Sequence, residues 1–286
     1  ASGAVDLAAS GAFTYVAKAG FSGSDSFRFS VSDGMGGSSA YTARVTVAAV
    51  AQTHQGTAGR DDLVGGSAGD GYLLGAGDDR VLPKGGADVI DGGEGRDTLQ
   101  LQAARSGYTL QSHGSWWSVS DAAGLDGADR LTAVERLQFT DGWVALDLQD
   151  GQHGAQAAQI LRGLFGAASL KVPLYAGYAV GLLDQGMSYD ELVAFALQTE
   201  AFWSQTGSSL AAHPNEALVK AVYRNVIGVD ASAAEVAYYA GLVSSGAFTQ
   251  ASLATMACQT VFNTGSADLV GLAAQGLDYV LPPGVG

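Results

Sequence analysis

The sequence predicts a multidomain chain of α and β parts: a partial β-sandwich, a parallel β-roll with a β cap, then an all-α helical repeat. Three observations carry this. Residues 56–100 repeat with a period of nine. Residues 1–55 alternate apolar and polar side chains, the period of a strand with one buried face. From residue 151 onward Ala and Leu dominate and the apolar period becomes helical.

The first segment, 1–55, holds three strand-like runs: GAFTYVA, DSFRFSVSD and AYTARVTVAAV. Phe13, Tyr15, Phe27, Phe29 and Val31 alternate with polar neighbours and predict one buried face. The Gly/Ser-rich SDGMGGSS is a turn between two of the runs. A complete immunoglobulin-type sandwich takes about seven strands and about 100 residues. About half of one is expected here, which reads as the C-terminal piece of a longer chain. An independent small sheet is the other reading.

The second segment, 56–100, is five gapless frames: GTAGRDDLV, GGSAGDGYL, LGAGDDRVL, PKGGADVID and GGEGRDTLQ. The sixth place is always Asp: Asp61, Asp70, Asp79, Asp88 and Asp97. The eighth is always apolar: Leu63, Tyr72, Val81, Ile90 and Leu99. The fourth is Gly59, Gly77, Gly86 or Gly95, with Ala68 in the second frame. A short turn plus a short strand makes one half-coil. Glycine supplies the positive φ of such turns and lets them stack closely. Carboxylates stacked at turn spacing repel unless a cation lies among them. Ca²⁺ suits that role, because it takes about 6–8 oxygens from carboxylates and backbone carbonyls in flexible turns.

These frames resemble the repeats-in-toxin (RTX) family, whose GGxGxDxUx repeat forms a calcium-binding β-helix. GGEGRDTLQ matches in full, whereas Thr57, Leu74, Pro83 and Lys84 depart at the first two places. The resemblance implies calcium as cofactor. Asp61, Asp70, Asp79, Asp88 and Asp97 would be its ligands, joined by carbonyls of Gly59, Gly77, Gly86 and Gly95. Ions are expected between Asp61 and Asp79, between Asp79 and Asp97, and between Asp70 and Asp88 on the other side.

The third segment, 101–150, reads as a cap. YTLQSHGSWWSVSD is a hairpin around His113-Gly114. GLDGADRLT fits the nine-residue template again, with Gly127 fourth, Asp129 sixth and Leu131 eighth. It lies outside the earlier register, so the hairpin is an insertion before a returning coil, and Asp129 joins the expected metal ligands. VERLQFTDGWVALDL gives two more strands around Asp141-Gly142. A cap is needed because an open coil exposes an apolar cross-section and unpaired edges. Trp116 and Trp117 face opposite sides of a strand. They pack in the cap on one reading and bind sugar on another.

The last segment, 151–286, carries two capping boxes, Ser188 with Glu191 and Ser232 with Glu235. Pro214 suits the first turn of a helix that Gly228 ends. There is an internal repeat. GLFG at 163–166 matches NVIG at 225–228. Tyr178, Gly181, Leu182 and Gly186 match Tyr238, Gly241, Leu242 and Gly246, and Ala201-Phe202 matches Val261-Phe262. Each copy offers about three helices. This half resembles a paired helical domain of unknown function that often follows RTX tracts in secreted bacterial proteins. RTX proteins usually end in a signal for type I secretion, and the tail from about Ala251, which has no Lys or Arg, is compatible with one.

Net charge is −14, which disfavours nucleic acid and anionic membranes as partners. Cys258 is alone, so no internal disulfide forms and stability must come from packing and metal. No apolar run has the length of a membrane span, and no N-terminal signal peptide is expected. There is no HExxH and no GxSxG. His54, His113, His153 and His213 are scattered, and Asp and Glu outside the ladder read as turn and cap residues. The expectation is therefore a non-enzyme. It is a calcium-dependent, secreted, extracellular cell-surface protein, a surface-layer (S-layer) subunit or adhesin, which self-associates or binds other surface components. The alternatives are the secretion and folding tail of a larger RTX enzyme or toxin, and a carbohydrate-binding adhesin tip.

Overall fold

The computed structural model describes residues 2–8, 10–18, 21–260 and 271–285. It mixes β and α structure. At the N-terminus β1 (Gly3–Leu7) pairs antiparallel with β2 (Phe13–Ala17), and β3 (Gly23–Ser32) with β4 (Ser38–Val47). These are two separate two-stranded sheets. Asp33 makes the β3–β4 turn by accepting from the amides of Met35 at 2.8 Å and Gly37 at 2.9 Å. The strand Gly3–Leu7 goes beyond the three runs read from sequence. A second correction concerns the buried face. Phe13, Phe27, Phe29 and Tyr41 do line up, with centroids 5.1, 6.3 and 5.7 Å apart. Yet Phe13 is 49% and Val31 54% exposed. Alternation selects a face, but only a facing layer buries it.

The ladder strands are β5 (Thr53–Gln55), β6 (Asp62–Val64), β7 (Gly71–Ala76), β8 (Arg80–Leu82), β9 (Val89–Glu94) and β10 (Thr98–Gln100). Successive strands alternate between two parallel sheets, so one full coil is two frames. Leu63 pairs in register with Val81 and Val81 with Leu99, while Tyr72 pairs with Ile90. The eighth-place side chains therefore stack between the sheets. Tyr72, Val81, Ile90 and Leu99 are 1% exposed or less, while Leu63, at the end of the stack, is half-buried. Each full burial is worth roughly 1.5–3 kcal/mol. Gly95 shows why the fourth place is glycine. Its φ is 123°, and a Cβ there would overlap the Gly77 carbonyl of the coil below.

β11 (Tyr108–Ser112) and β12 (Trp117–Asp121) form the hairpin around His113-Gly114. β13 (Ala128–Thr132) pairs antiparallel with β12 and parallel with β9, setting Leu131 on Ile90. β14 (Arg136–Gln138) pairs parallel with β10, setting Leu137 on Leu99, and β15 (Trp143–Ala145) pairs antiparallel with β14. The returning coil thus continues both sheets.

The longer helices are α1 (His153–Phe165), α2 (Pro173–Asp184), α3 (Tyr189–Leu197), α4 (Glu200–Gln205), α5 (Asn215–Ile227), α6 (Ala233–Ser244) and α7 (Gln250–Cys258), and a single turn follows at Leu272–Gln275. The repeat is exact in helix length: α1 and α5 have 13 residues, α2 and α6 have 12, α3 and α7 have 9. Both capping boxes form as read, and Thr249 with Ser252 forms a third. Pro214 stands at the N-cap of α5, one residue before the first turn, and Gly228 ends the helix at φ 88°. Val261 and Phe262 lie outside the described residues. The all-α reading of 151–286 fails at Leu277–Tyr279. This stretch is β16, which pairs antiparallel with β15 and extends a ladder sheet. Gly177 and Gly181 on α2 admit the segment that follows, since a Cβ at either would overlap Val280 or Val285.

Candidate metal centre

The alternation of strands sorts the acidic residues into two columns. Asp61, Asp79, Asp97 and Glu135 stand in the turns entering β6, β8, β10 and β14. Asp70, Asp88 and Asp129 enter β7, β9 and β13, with Gln52 before β5 in the equivalent place. Within a column each side chain accepts from the amide of the preceding rung. Asp79 Oδ1 accepts from Asp61 N at 2.7 Å, Asp97 Oδ1 from Asp79 N at 2.9 Å, and Glu135 Oε2 from Asp97 N at 2.9 Å. On the other side Asp70 Oδ1 accepts from Gln52 N at 2.8 Å, Asp88 Oδ1 from Asp70 N at 2.6 Å, and Asp129 Oδ1 from Asp88 N at 3.0 Å. The expected pairs do share a contact, but it is carboxylate to amide through one oxygen.

The second oxygen distinguishes the first aspartates of the columns from the later ones. The Oδ2 atoms of Asp79, Asp88, Asp97 and Asp129 are buried without a hydrogen-bond partner. Such atoms are rare in folded proteins, because each carries its full desolvation cost. Asp61 Oδ2 instead accepts from the Thr57 amide at 2.6 Å and hydroxyl at 2.9 Å. Asp70 Oδ2 lies 3.4 Å from the Gly66 amide and 3.6 Å from His54 Nε2. Among the glycines, Gly59 O accepts from the Thr57 hydroxyl at 3.2 Å and Gly86 O from the Ala128 amide at 3.1 Å.

Burial raises the carboxyls. It pushes Asp97 up to about 6 and Glu135 up to about 7, and it also raises Asp88 and Asp129. A hard cation beside these oxygens supplies what the protein does not. Among the described residues no three His, Cys, Asp or Glu side chains converge on one point. That does not conflict with the donor chemistry, since calcium completes its shell from backbone carbonyls. The orphaned oxygens fit the ion.

Two rungs escaped the sequence reading. Glu135 stands two residues before Leu137, as every ladder Asp stands two before its apolar partner. The turn before it is shorter than nine residues, so the frame was hidden. At the other end Gln52 and His54 occupy the sixth and eighth places. His54 stacks on Tyr72 at 4.6 Å and 8°.

Beyond the columns, Arg136 is 2% exposed. It donates to Asp147, and forks onto Asp184 through Nη2 at 2.8 Å and Nε at 3.1 Å. Burial pulls its guanidinium down, but Asp147 and Asp184 outweigh that and hold it above its ordinary value. Asp147 and Asp184 are thus ion-pair residues, against the reading of acids outside the ladder as turns and caps. Trp117 packs on the ladder core, and Trp116 lies between being buried and exposed, with His113 stacked at 3.8 Å and Arg130 at 4.7 Å.

Residues 1–48 match the family model described as Bacterial Ig domain. No curated protein matches the chain. Among solved structures, the extracellular lipase LipA from Serratia marcescens aligns at 25% identity and a TM-score of 0.30. That alignment covers 32% of this chain and 14% of the lipase, and an overlay this loose carries no argument. No helix among the described residues is long and apolar enough to cross a membrane.

Proposed function

We propose that this chain is the calcium-dependent part of a secreted bacterial surface protein, a surface-layer subunit or adhesin, with a structural role rather than a catalytic one. The observation that carries the reading is the set of four buried, unpartnered Oδ2 atoms at Asp79, Asp88, Asp97 and Asp129. Asp79, Asp88 and Asp97 recur on the nine-residue period of the RTX-like frames and Asp129 joins them from the returning coil, in two columns of a parallel β-roll. Calcium bound there neutralises the stacked carboxylates. The neighbouring amides hold each Oδ1 and leave the Oδ2 as the oxygen for the ion. The match of residues 1–48 to a bacterial immunoglobulin domain supports placement in a longer extracellular chain, and type I secretion follows from the same reading.

The test is calorimetric titration of the chelated chain with calcium, with circular dichroism in parallel. Tight uptake and a gain of β signal are expected. Failure to take up calcium at millimolar concentration sinks the proposal. Sedimentation in millimolar calcium then tests self-association: ordered oligomers are expected, with monomers in chelator. A monomer at high concentration with calcium restricts the role to a monomeric adhesin.

A further inference from the structure

The ladder puts its arginines on one face. Arg60, Arg80 and Arg96 sit in the first, third and fifth frames, at the fifth or seventh place. Odd frames all feed the same sheet, so the three side chains stack beside each other. Arg136 continues the seventh-place column, in register with Thr98 and through it with Arg80. The helical half closes over this face. The result is a cleft of about 320 Å³ walled by these four arginines, Trp143 and the α2 end around Asp184. Four of the chain's 14 Lys and Arg converge there, in a protein of net charge −14.

Two of the four are already engaged. Arg136 is held by Asp147 and Asp184, and Arg96 by Asp78 at 2.7 Å and Asp184 at 3.5 Å. Arg60 and Arg80 make no ion pair among the described residues, although Asp62 stands beside Arg80 in register. Asp79 lines the cleft too, but its Oδ1 is turned to the Asp61 amide. The cleft therefore offers two uncommitted guanidiniums, whose planar forks match oxyanions. Beside them are the half-buried Trp143 ring, stacked on Tyr279 at 6.1 Å and 24°, and the neutral donors Thr98 and Gln185. A bare inorganic anion uses only the first of these features. A sugar ring carrying an acidic group uses all of them: its oxyanion meets Arg60 and Arg80, its C–H face the indole, and its hydroxyls Thr98 and Gln185.

We propose that the cleft between the odd-frame face of the ladder and the end of α2 binds an anionic sugar through Arg60, Arg80 and Trp143. The site adjoins the acidic column at Asp79 but takes its ligand through the arginines, and it adds a recognition role to the structural one. The experiment titrates the full, calcium-saturated chain with glucuronate, glucose and sodium sulfate, reading Trp fluorescence and calorimetric heat. Glucuronate is expected to bind more tightly than either control, and Trp143→Phe to lose the fluorescence change. Arg60→Gln and Arg80→Gln should each weaken binding about ten-fold, as for loss of one charge-assisted contact. Arg60 is exposed, so its variant keeps the fold, which circular dichroism checks. Absence of glucuronate binding, or binding by both Gln variants as tight as by the unsubstituted chain, overturns the proposal. So does glucose binding as well as glucuronate, which removes the role of the charge, and so does sulfate equalling glucuronate, which removes the sugar.

Discussion

In the ladder every frame sends one carboxylate and one apolar side chain inward. In the helical half each copy sends mainly apolar side chains inward, with buried Gln159 and Ser169 as polar exceptions, from three helices of matched length. The ladder's core is built on two facing columns of eighth-place residues, one from each sheet, with Asp79 and Asp97 buried beside it. The helical core is a broad cluster that includes Ile160, Leu164, Phe202 and Trp203. Both are repeats, yet only one carries buried charge without partners. A repeat whose interior is apolar is complete when its neighbours stack. A repeat whose interior holds stacked carboxylates is complete only when something neutralises them, so its folding answers to the solution outside.

The strongest way to break this contrast is to chelate calcium. β signal from residues 56–149 should be lost while most helical signal stays. Each calcium site filled at 100 times its Kd adds about 2.7 kcal/mol, and several sites are at stake. Circular dichroism in EGTA reads both signals at once. Equal loss of both would erase the distinction, and β16 gives such an outcome a route, since it ties the helical half to the ladder sheet.

The next largest effect tests that tie. Arg136→Ala leaves Asp147 and Asp184 facing each other in a buried site and should cost about 3–5 kcal/mol. Urea unfolding should show the two halves separating into two transitions. A single unshifted transition would mean the ion pair does not couple them.

A third prediction concerns protons as the stand-in for metal. In the folded chain Asp97 and Glu135 are raised to about 6 and about 7, above the unfolded values of roughly 3.9 and 4.3. The folded state therefore binds more protons between about pH 4 and pH 7. Its metal-free stability should be greatest at the acid end of that window and fall as pH rises through it. Calcium should remove this slope, because it takes the proton's place. Asp97→Asn should stabilise the chelated chain by roughly 1–3 kcal/mol and shrink its response to calcium. Thermal melts at pH 5 and pH 8, with and without EGTA, check both. A chelated chain more stable at pH 8 contradicts the assignment.

The smallest effect sits at Lys84. Its φ is 68°, in the second place of a frame, where Gly75 and Gly93 take 107° and 94°. Lys84→Gly should gain about 1 kcal/mol by relieving left-handed strain. A loss of stability in the melt would mean the side chain contributes something the backbone argument omits.

The sequence by itself determined whatever recurs locally. The nine-residue period named Asp61 to Asp97 and their apolar partners, because each frame forms the same turn and strand wherever it stands. The capping boxes at Ser188 and Ser232 were legible because both halves of a box lie within one turn of helix. Only the tertiary structure decided what depends on distant neighbours. Glu135 became a rung because the neighbouring coil brought the Asp97 amide to its carboxylate, and Gln52 because the next coil brought the Asp70 carboxylate to its amide, not because a motif marked them. Arg136 met Asp184 across 48 residues of chain, and β16 found β15 after the whole helical half had folded between them. The aromatic face of residues 1–48 has its pattern but remains partly exposed, since alternation chooses a face and only a facing layer buries it. A local rule is set by backbone geometry within a few residues. A partner is set by packing, which a one-dimensional period does not record.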